Sequence, residues 1–186
     1  MEERHDVCPW QRGSHLSGPM RKLFNNPRRL LERYVTRGMT VADIGSGMGF
    51  LTLPLVSMVG ESGKVIAIDL QPEMLAGLKE RAEKAGVSNI VLHNCAQDAL
   101  GIEQWSGTVD FALIYWMLHE VPDPERLIRE VHAALTPEGR LLFVEPTMHV
   151  TETQFRDSLD KIAACGFKLI ERPKVSISRA AILQKA

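Results

Sequence analysis

The stretch Val41-Ala42-Asp43-Ile44-Gly45-Ser46-Gly47-Met48-Gly49-Phe50 decides how this chain is read. An apolar run of strand length passes into a glycine turn, and the turn opens onto an amphipathic stretch of helix length. Glycines in such a turn reach positive φ without steric cost and let a ligand approach the main chain. The helix that follows offers free N–H groups to polar or negative ligand atoms. A turn that only packs a helix tightly on a strand would use the same glycines. Two details point further. The spacing is Gly-x-Gly-x-Gly, tighter than the Gly-x-Gly-x-x-Gly of dinucleotide sites. Asp43 also stands two residues ahead of Gly45, where it would crowd a pyrophosphate but would suit a ligand carrying an ammonium group.

On either side of this turn, strand-length and helix-length patterns alternate. Strands are expected over Thr40–Ile44, Lys64–Asp69, Ile90–Asn94, Val109–Tyr115 and Gly139–Glu145. Helices are expected at about Phe50–Val59, Pro72–Ala85 and Pro124–Leu135, with a short one around Gln97–Trp105. Pro72 and Pro124 suit first helical positions, Asp123 is a natural N-cap, and Gly60 and Gly86 suit helix ends. An earlier helix is signalled from Asn26 and Pro27, with Leu30, Leu31, Tyr34 and Val35 at helical spacing before Gly38. The alternation implies right-handed crossovers and a parallel sheet. A helix at about Thr151–Cys165 then precedes two strands, Phe167–Glu171 and Ser178–Gln184, joined through the turn-prone Arg172-Pro173-Lys174. So short a link cannot join a parallel pair, so the last strand must run antiparallel. The expected fold is α/β: a doubly wound, mostly parallel seven-stranded sheet with an antiparallel C-terminal hairpin strand and helices on both faces. One domain is expected over residues 1–186, with residues 1–25 as an arm.

With its acid-x-Gly-x-Gly-x-Gly segment, the chain resembles the class I methyltransferases. The resemblance implies a methyl transferase that binds S-adenosylmethionine, with S-adenosylhomocysteine as product, through Asp43, Gly45, Ser46, Gly47 and Gly49. Asp69 closes the second strand, where a carboxylate can accept both ribose hydroxyl hydrogens. That geometry serves NAD equally, and a plain strand-end turn also uses Asp. Leu70 would pack on the adenine. After the third strand the family commonly has an acid. Here Cys95 holds that place, so adenine recognition falls to Asp98 or to backbone groups around Ala96, and Cys95 reads as a buried structural thiol. The run from Asp110 to Asp123 matches the family pattern of an acid opening the fourth strand and a Leu-His-x-Val-Pro-Asp ending. Ligands on open sheets sit at carboxyl ends of strands, which puts Tyr115, Trp116 and His119 beside the transferred methyl. Aromatic faces attract a sulfonium cation. His119 suits a general base, or a hydrogen-bonded cap or core histidine.

Composition bounds the partners. Lys plus Arg is 22 and Asp plus Glu is 23, a formal net charge of -1, which gives no global reason to expect nucleic acid or an anionic membrane. The basic group Arg21, Lys22, Arg28, Arg29, Arg33 and Arg37 reads as a solvated helix face. No Asn-Pro-Pro-Tyr or Asp-Pro-Pro-Tyr run, which in the resembling family goes with base and amide nitrogen methylation, follows the fourth strand, so the resemblance implies a small-molecule acceptor rather than a nucleobase. Cys8, Cys95 and Cys165 are scattered, which suits a reducing cytoplasm and no metal centre. No signal peptide or spanning segment is expected. Three alternatives stay open: an NAD-dependent oxidoreductase, a non-catalytic S-adenosylmethionine-binding module, and arsenic methylation through cysteine thiolates. The N-terminal arm, with His5, Trp10 and His15, is expected to fold over the pocket as a lid, or else to be a tail.

Overall fold

The computed structural model describes residues 27–186. The expected lid, with His5, Trp10 and His15, and the thiol of Cys8 lie outside the described residues. Seven strands form one sheet: β1 (Thr40–Ile44), β2 (Lys64–Asp69), β3 (Ile90–Asn94), β4 (Val109–Tyr115), β5 (Leu135–Pro146), β6 (Phe167–Glu171) and β7 (Ser178–Lys185). Their order is β3-β2-β1-β4-β5-β7-β6. β1 pairs in parallel with both β2 and β4, so the winding reverses at its two sides. Ligands on doubly wound sheets bind at such a reversal, outside the carboxyl ends of the strands. β7 is antiparallel to β5 and to β6, so β6 points the same way as the first five.

The helices are α1 (Pro27–Leu31), α2 (Thr52–Val59), α3 (Pro72–Lys84), α4 (Pro124–Ala134) and α5 (Glu152–Ala164). They cover both faces of the sheet, which is why β1, β2 and β4 are near-continuous apolar runs rather than alternating ones. On one face Leu31, Leu55 and Val59 pack against Val41, Phe111 and Leu113. On the other, Ile128, Val131, Phe155 and Ile162 meet Ala112, Ile114 and Phe143, and the rings of Phe143 and Phe155 stack at 5.1 Å. α4 starts at Asp123, whose side chain accepts the amide hydrogen of Arg126. α5 starts with a capping box between Thr151 and Gln154, each satisfying the other's free amide.

Three segments differ from expectation. α1 ends at Leu31 and tight turns carry Tyr34 and Val35 into the core, where Tyr34 stacks on Phe111 at 6.1 Å. β5 begins at Leu135, not Gly139, because Leu135 pairs with Val109 before an irregularity restores register at Phe111 and Arg140. The helix expected around Gln97–Trp105 is one short 3-10 turn at Glu103–Trp105. There the amides of Leu100 and Gly101 donate to Glu130 of α4, at 2.9 and 3.0 Å, instead of to their own segment. Among the described residues no helix is long and apolar enough to cross a membrane.

Candidate active site

A cavity of about 930 Å³ opens at the carboxyl ends of β1, β2 and β4. Its floor is the glycine turn, and the three glycines serve different ends. Gly45, Gly47 and Gly49 all have positive φ, at 73°, 53° and 83°. A Cβ on Gly49 would lie 2.3 Å from Leu78 Cδ1, and one on Gly45 would lie 2.9 Å from Met117 Cγ, so these two permit packing. A Cβ on Gly47 would meet nothing within 4 Å. Gly45 and Gly47 both line the cavity, and of the two only Gly47 has open space where a side chain would stand. Beside it the Ser46 hydroxyl is buried with no protein partner. An unpaired buried hydroxyl costs about 1–3 kcal/mol, so a polar ligand atom that reaches it is rewarded. The open glycine and the orphaned hydroxyl both fit a polar ligand lying on the turn.

The two acids of this half are tied to the protein. Asp43 is buried beneath the turn on the cavity wall, and its Oδ2 accepts the Thr52 hydroxyl hydrogen at 2.6 Å. Burial pushes its pKa up to about 6; the Thr52 hydrogen bond opposes this and the nearby Asp69 charge adds to it. Asp69 accepts the Gly47 amide hydrogen on Oδ2 at 2.7 Å and that of Gln71 on Oδ1 at 2.9 Å. It thereby fastens the end of β2 to the glycine turn. Burial raises its pKa, and the amide hydrogen bonds from Gln71, Gly47 and Leu70 counter that. A carboxylate has about four lone-pair sites, so both oxygens keep capacity for further hydrogen bonds.

Leu70, Cys95 and Ala96 continue the wall. Ala96 uses its amide on Ala99 O. The Cys95 thiol is half-buried and pushed up to about 11, chiefly by burial and then by the Asp69 charge, as suits a structural thiol. Asp98 sits at the rim: its side chain is 79% exposed and pairs with Arg126 at 3.5 Å. Asp110, the acid opening β4, is spent on the sheet, where Oδ2 accepts the Thr40 amide hydrogen at 2.8 Å.

The opposite half is built by β4 and β5. Tyr115 ends β4, and Trp116 then adopts φ 63°, a left-handed conformation costing about 1–2 kcal/mol outside glycine. Tertiary bonds hold it there. Its amide donates to Val144 O at 2.8 Å and its indole Nε1 donates to Ser178 Oγ at 2.9 Å. The rings of Tyr115 and Trp116 meet at 5.4 Å. A 3-10 turn, Leu118–Glu120, then delivers His119 to the cavity. His119 Nδ1 lies 2.7 Å from Glu145 Oε2, and its amide donates to Glu145 Oε1 at 3.1 Å. The ring stacks on His149 at 5.7 Å. The hydrogen bond to Glu145 raises the His119 pKa and burial opposes the rise. Glu145, 1% exposed at the end of β5, was absent from the sequence-based site. The signal was present: an acid closing an apolar strand, as Asp69 closes β2.

The methyltransferase-domain family matches residues 35–180. The chain belongs to that family. An Escherichia fergusonii ubiquinone/menaquinone biosynthesis C-methyltransferase, UbiE, is 34% identical over 119 residues, which are 63% of this chain and 47% of that protein. Its Salmonella arizonae counterpart is 35% identical over the same lengths. The chain thus spans about half the length of the curated relatives it matches. Among solved structures, an Aquifex aeolicus SAM-dependent methyltransferase superposes with a TM-score of 0.87 at 24% identity, covering 97% of this chain and 100% of that one. The [4+2]-cyclase SpnF superposes at 0.69 with 19% identity, over 81% of this chain and 60% of that one. A cyclase on the same fold means that architecture by itself does not set the reaction. The domain is a class I methyltransferase domain, and S-adenosylmethionine is the cofactor the family implies.

Proposed function

We propose that this chain transfers a methyl group from S-adenosylmethionine to a small-molecule acceptor. The observation that carries this is one cavity with two chemically distinct walls, an open glycine turn with acids on one side and Trp116 and His119 on the other. The bound cofactor supplies a methyl group activated by a sulfonium. Ser46 and the bare main chain at Gly47 receive its polar end, with Gly45 and Gly49 holding the turn's shape. Asp43 supplies negative charge beneath an ammonium group. Asp69 accepts ribose hydroxyl hydrogens on its remaining lone pairs, while Leu70 and Ala96 flank the adenine and Asp98 borders it. Tyr115 and Trp116 present aromatic faces to the cation. His119 takes a proton from the acceptor. Holding the acceptor in line and excluding water is the rest of the protein's contribution.

A small acceptor is supported by the relatives named for quinone biosynthesis and by the near-neutral charge. Free thiols at Cys95 and Cys165 support a reducing, cytoplasmic setting. Family membership favours methyl transfer over nicotinamide chemistry. Calorimetry with S-adenosylhomocysteine and with NAD tests the reading: the first should bind and the second should not. The reverse result would assign the cavity to a dinucleotide. Binding without turnover across a broad acceptor panel would instead leave a non-catalytic module.

A further inference from the structure

We infer that Glu145 is a positioning residue that keeps the proton of His119 on Nδ1, leaving Nε2 free to accept a proton from a phenolic or enolic hydroxyl of the acceptor. This rests on the methyl-transfer role proposed above and adds to it the chemical class of the acceptor.

Two hydrogen bonds from one residue converge on one carboxylate. Glu145 is the penultimate residue of β5 and is buried. Its Oε1 receives the main-chain amide of His119 at 3.1 Å, and Oε2 lies 2.7 Å from Nδ1 of the same residue. The amide can only donate and an ionised carboxylate can only accept, so the neutral ring carries its hydrogen on Nδ1. Nε2 is then the acceptor. It lies on the other side of the ring, 3.9 Å from Oε1 of Glu120, which shares the large cavity. Other charged or titratable groups on the cavities that His119 borders include His149, stacked on it, Asp123 ahead of α4, and Asp157 and Lys161 of α5. Those two α5 residues line a smaller cavity of about 370 Å³ that also borders His119.

A base with a fixed tautomer matters for one kind of nucleophile. An aromatic amine attacks with its own lone pair and sheds a proton afterwards, an alkyl amine arrives as an ammonium that the sulfonium repels, and a thiol ionises near pH 8.5. A phenol, with a pKa of about 10, stays a weak nucleophile until its hydrogen is removed. The hydroxyl proton passes to Nε2, and the electron pair of the O–H bond stays with the acceptor. That pair forms the new bond to the methyl carbon, from oxygen or through the ring from a conjugated carbon. The carbon–sulfur pair returns to sulfur, which leaves as a thioether. In the carbon case the ring hydrogen then moves to oxygen as a proton and restores the phenol. The imidazolium stays beside Glu145 and later releases its proton to water.

The test is nitrogen-15 spectroscopy of the histidine rings in the full chain without cofactor, with His119 assigned by its loss in His119→Gln. The wild-type neutral ring should be the Nδ1–H tautomer. In Glu145→Gln the amide oxygen must still serve the main-chain N–H, so the NH₂ group faces Nδ1 and drives the proton to Nε2. The tautomer should reverse and the titration midpoint should fall by about one pH unit or more. S-adenosylhomocysteine affinity, read by calorimetry, should stay within about twofold, since Glu145 lies off the glycine-turn side. A wild-type ring found as Nε2–H overturns the assignment even if the variant does not fold, and so does an unchanged tautomer in a folded variant. With 4-nitrophenol added to the wild-type complex with S-adenosylhomocysteine, the bound probe should show its phenolate absorbance below the pH at which the free probe ionises. Failure to see that shift overturns the phenol class. Failure of the wild-type chain to bind S-adenosylhomocysteine removes the methyl-transfer proposal instead and leaves the histidine result standing.

Discussion

The two halves of the cavity use the same device for different ends. Asp69 and Glu145 are both acids that close apolar strands at the sheet's carboxyl edge, and both are buried. Asp69 accepts two main-chain amides, from Gly47 and Gln71, and so shapes a turn. Glu145 accepts one main-chain amide and one ring nitrogen, both from His119, and so orients a side chain. The first half is therefore a surface of backbone, suited to a ligand that changes little. The second is a set of side chains, suited to chemistry and to an acceptor that differs between relatives. A fold that hosts both methyltransferases and a cyclase does not set the reaction by its architecture alone.

If the glycine half is a backbone surface, adding side chains should break it most sharply. Gly47→Val should abolish measurable S-adenosylhomocysteine binding in calorimetry, by filling open cavity, while circular dichroism remains near wild type apart from strain at φ 53°. Gly49→Ala should do the opposite and lower the melting temperature, because its Cβ would strike Leu78 at 2.3 Å. Wild-type affinity in Gly47→Val would remove the basis for placing the cofactor there. The chemical half should answer next. His119→Asn should lower kcat by about 10²–10⁴-fold with S-adenosylhomocysteine affinity unchanged. An equal fall in affinity would move His119 to the cofactor half.

These halves were not equally legible in the sequence. The first could be read because its parts are local: a strand, a turn and a helix start within one run from Val41 to Phe50. Strand ends at Thr40–Ile44, Lys64–Asp69 and Val109–Tyr115 followed from apolar runs bounded by Gly, Pro or Asp, since buried parallel strands leave that signature. Tertiary partners were not legible. Glu130 takes the amides that a helix near Gln97 would have needed, and no local pattern announces it. Glu145 reaches His119 only because β5 lies beside β4, a fact of strand order. Neither could the sequence say that Gly47 faces the cavity while Gly49 faces Leu78, since both obey one motif.

Asp69 offers a sharper and smaller probe of the first half. With both oxygens already holding the turn, Asp69→Ala should weaken S-adenosylhomocysteine binding by about 1.5–3 kcal/mol, the contribution of a charge-assisted hydrogen bond. It should also lower the melting temperature of the ligand-free chain, because the amides of Gly47 and Gln71 lose their acceptor. A lower melting temperature with an unchanged dissociation constant would make Asp69 a turn residue only.

The smallest expected effect concerns Asp43, and its sign can be worked out. Its pKa rises from 3.8 to about 6 on folding, chiefly through burial. The fold therefore prefers the protonated carboxyl. That contribution to stability is fully present below about pH 4 and is lost as pH rises through about 6. Asp43→Asn keeps an oxygen for the Thr52 hydroxyl and has no proton to lose. Urea midpoints should thus show the variant gaining on the wild type between pH 4 and pH 7, by roughly 2 kcal/mol. The same linkage gives the ligand a mark. If the cofactor's ammonium group sits by this carboxylate, binding favours the ionised form, so wild-type affinity for S-adenosylhomocysteine should rise from pH 5 to 7.5 and the Asn variant should show no such rise. A stability gap that opens as described, with no difference in the pH dependence of binding, would leave Asp43 as a partner of Thr52 alone. The ammonium would then rest on the Ser46 hydroxyl and the main chain at Gly47.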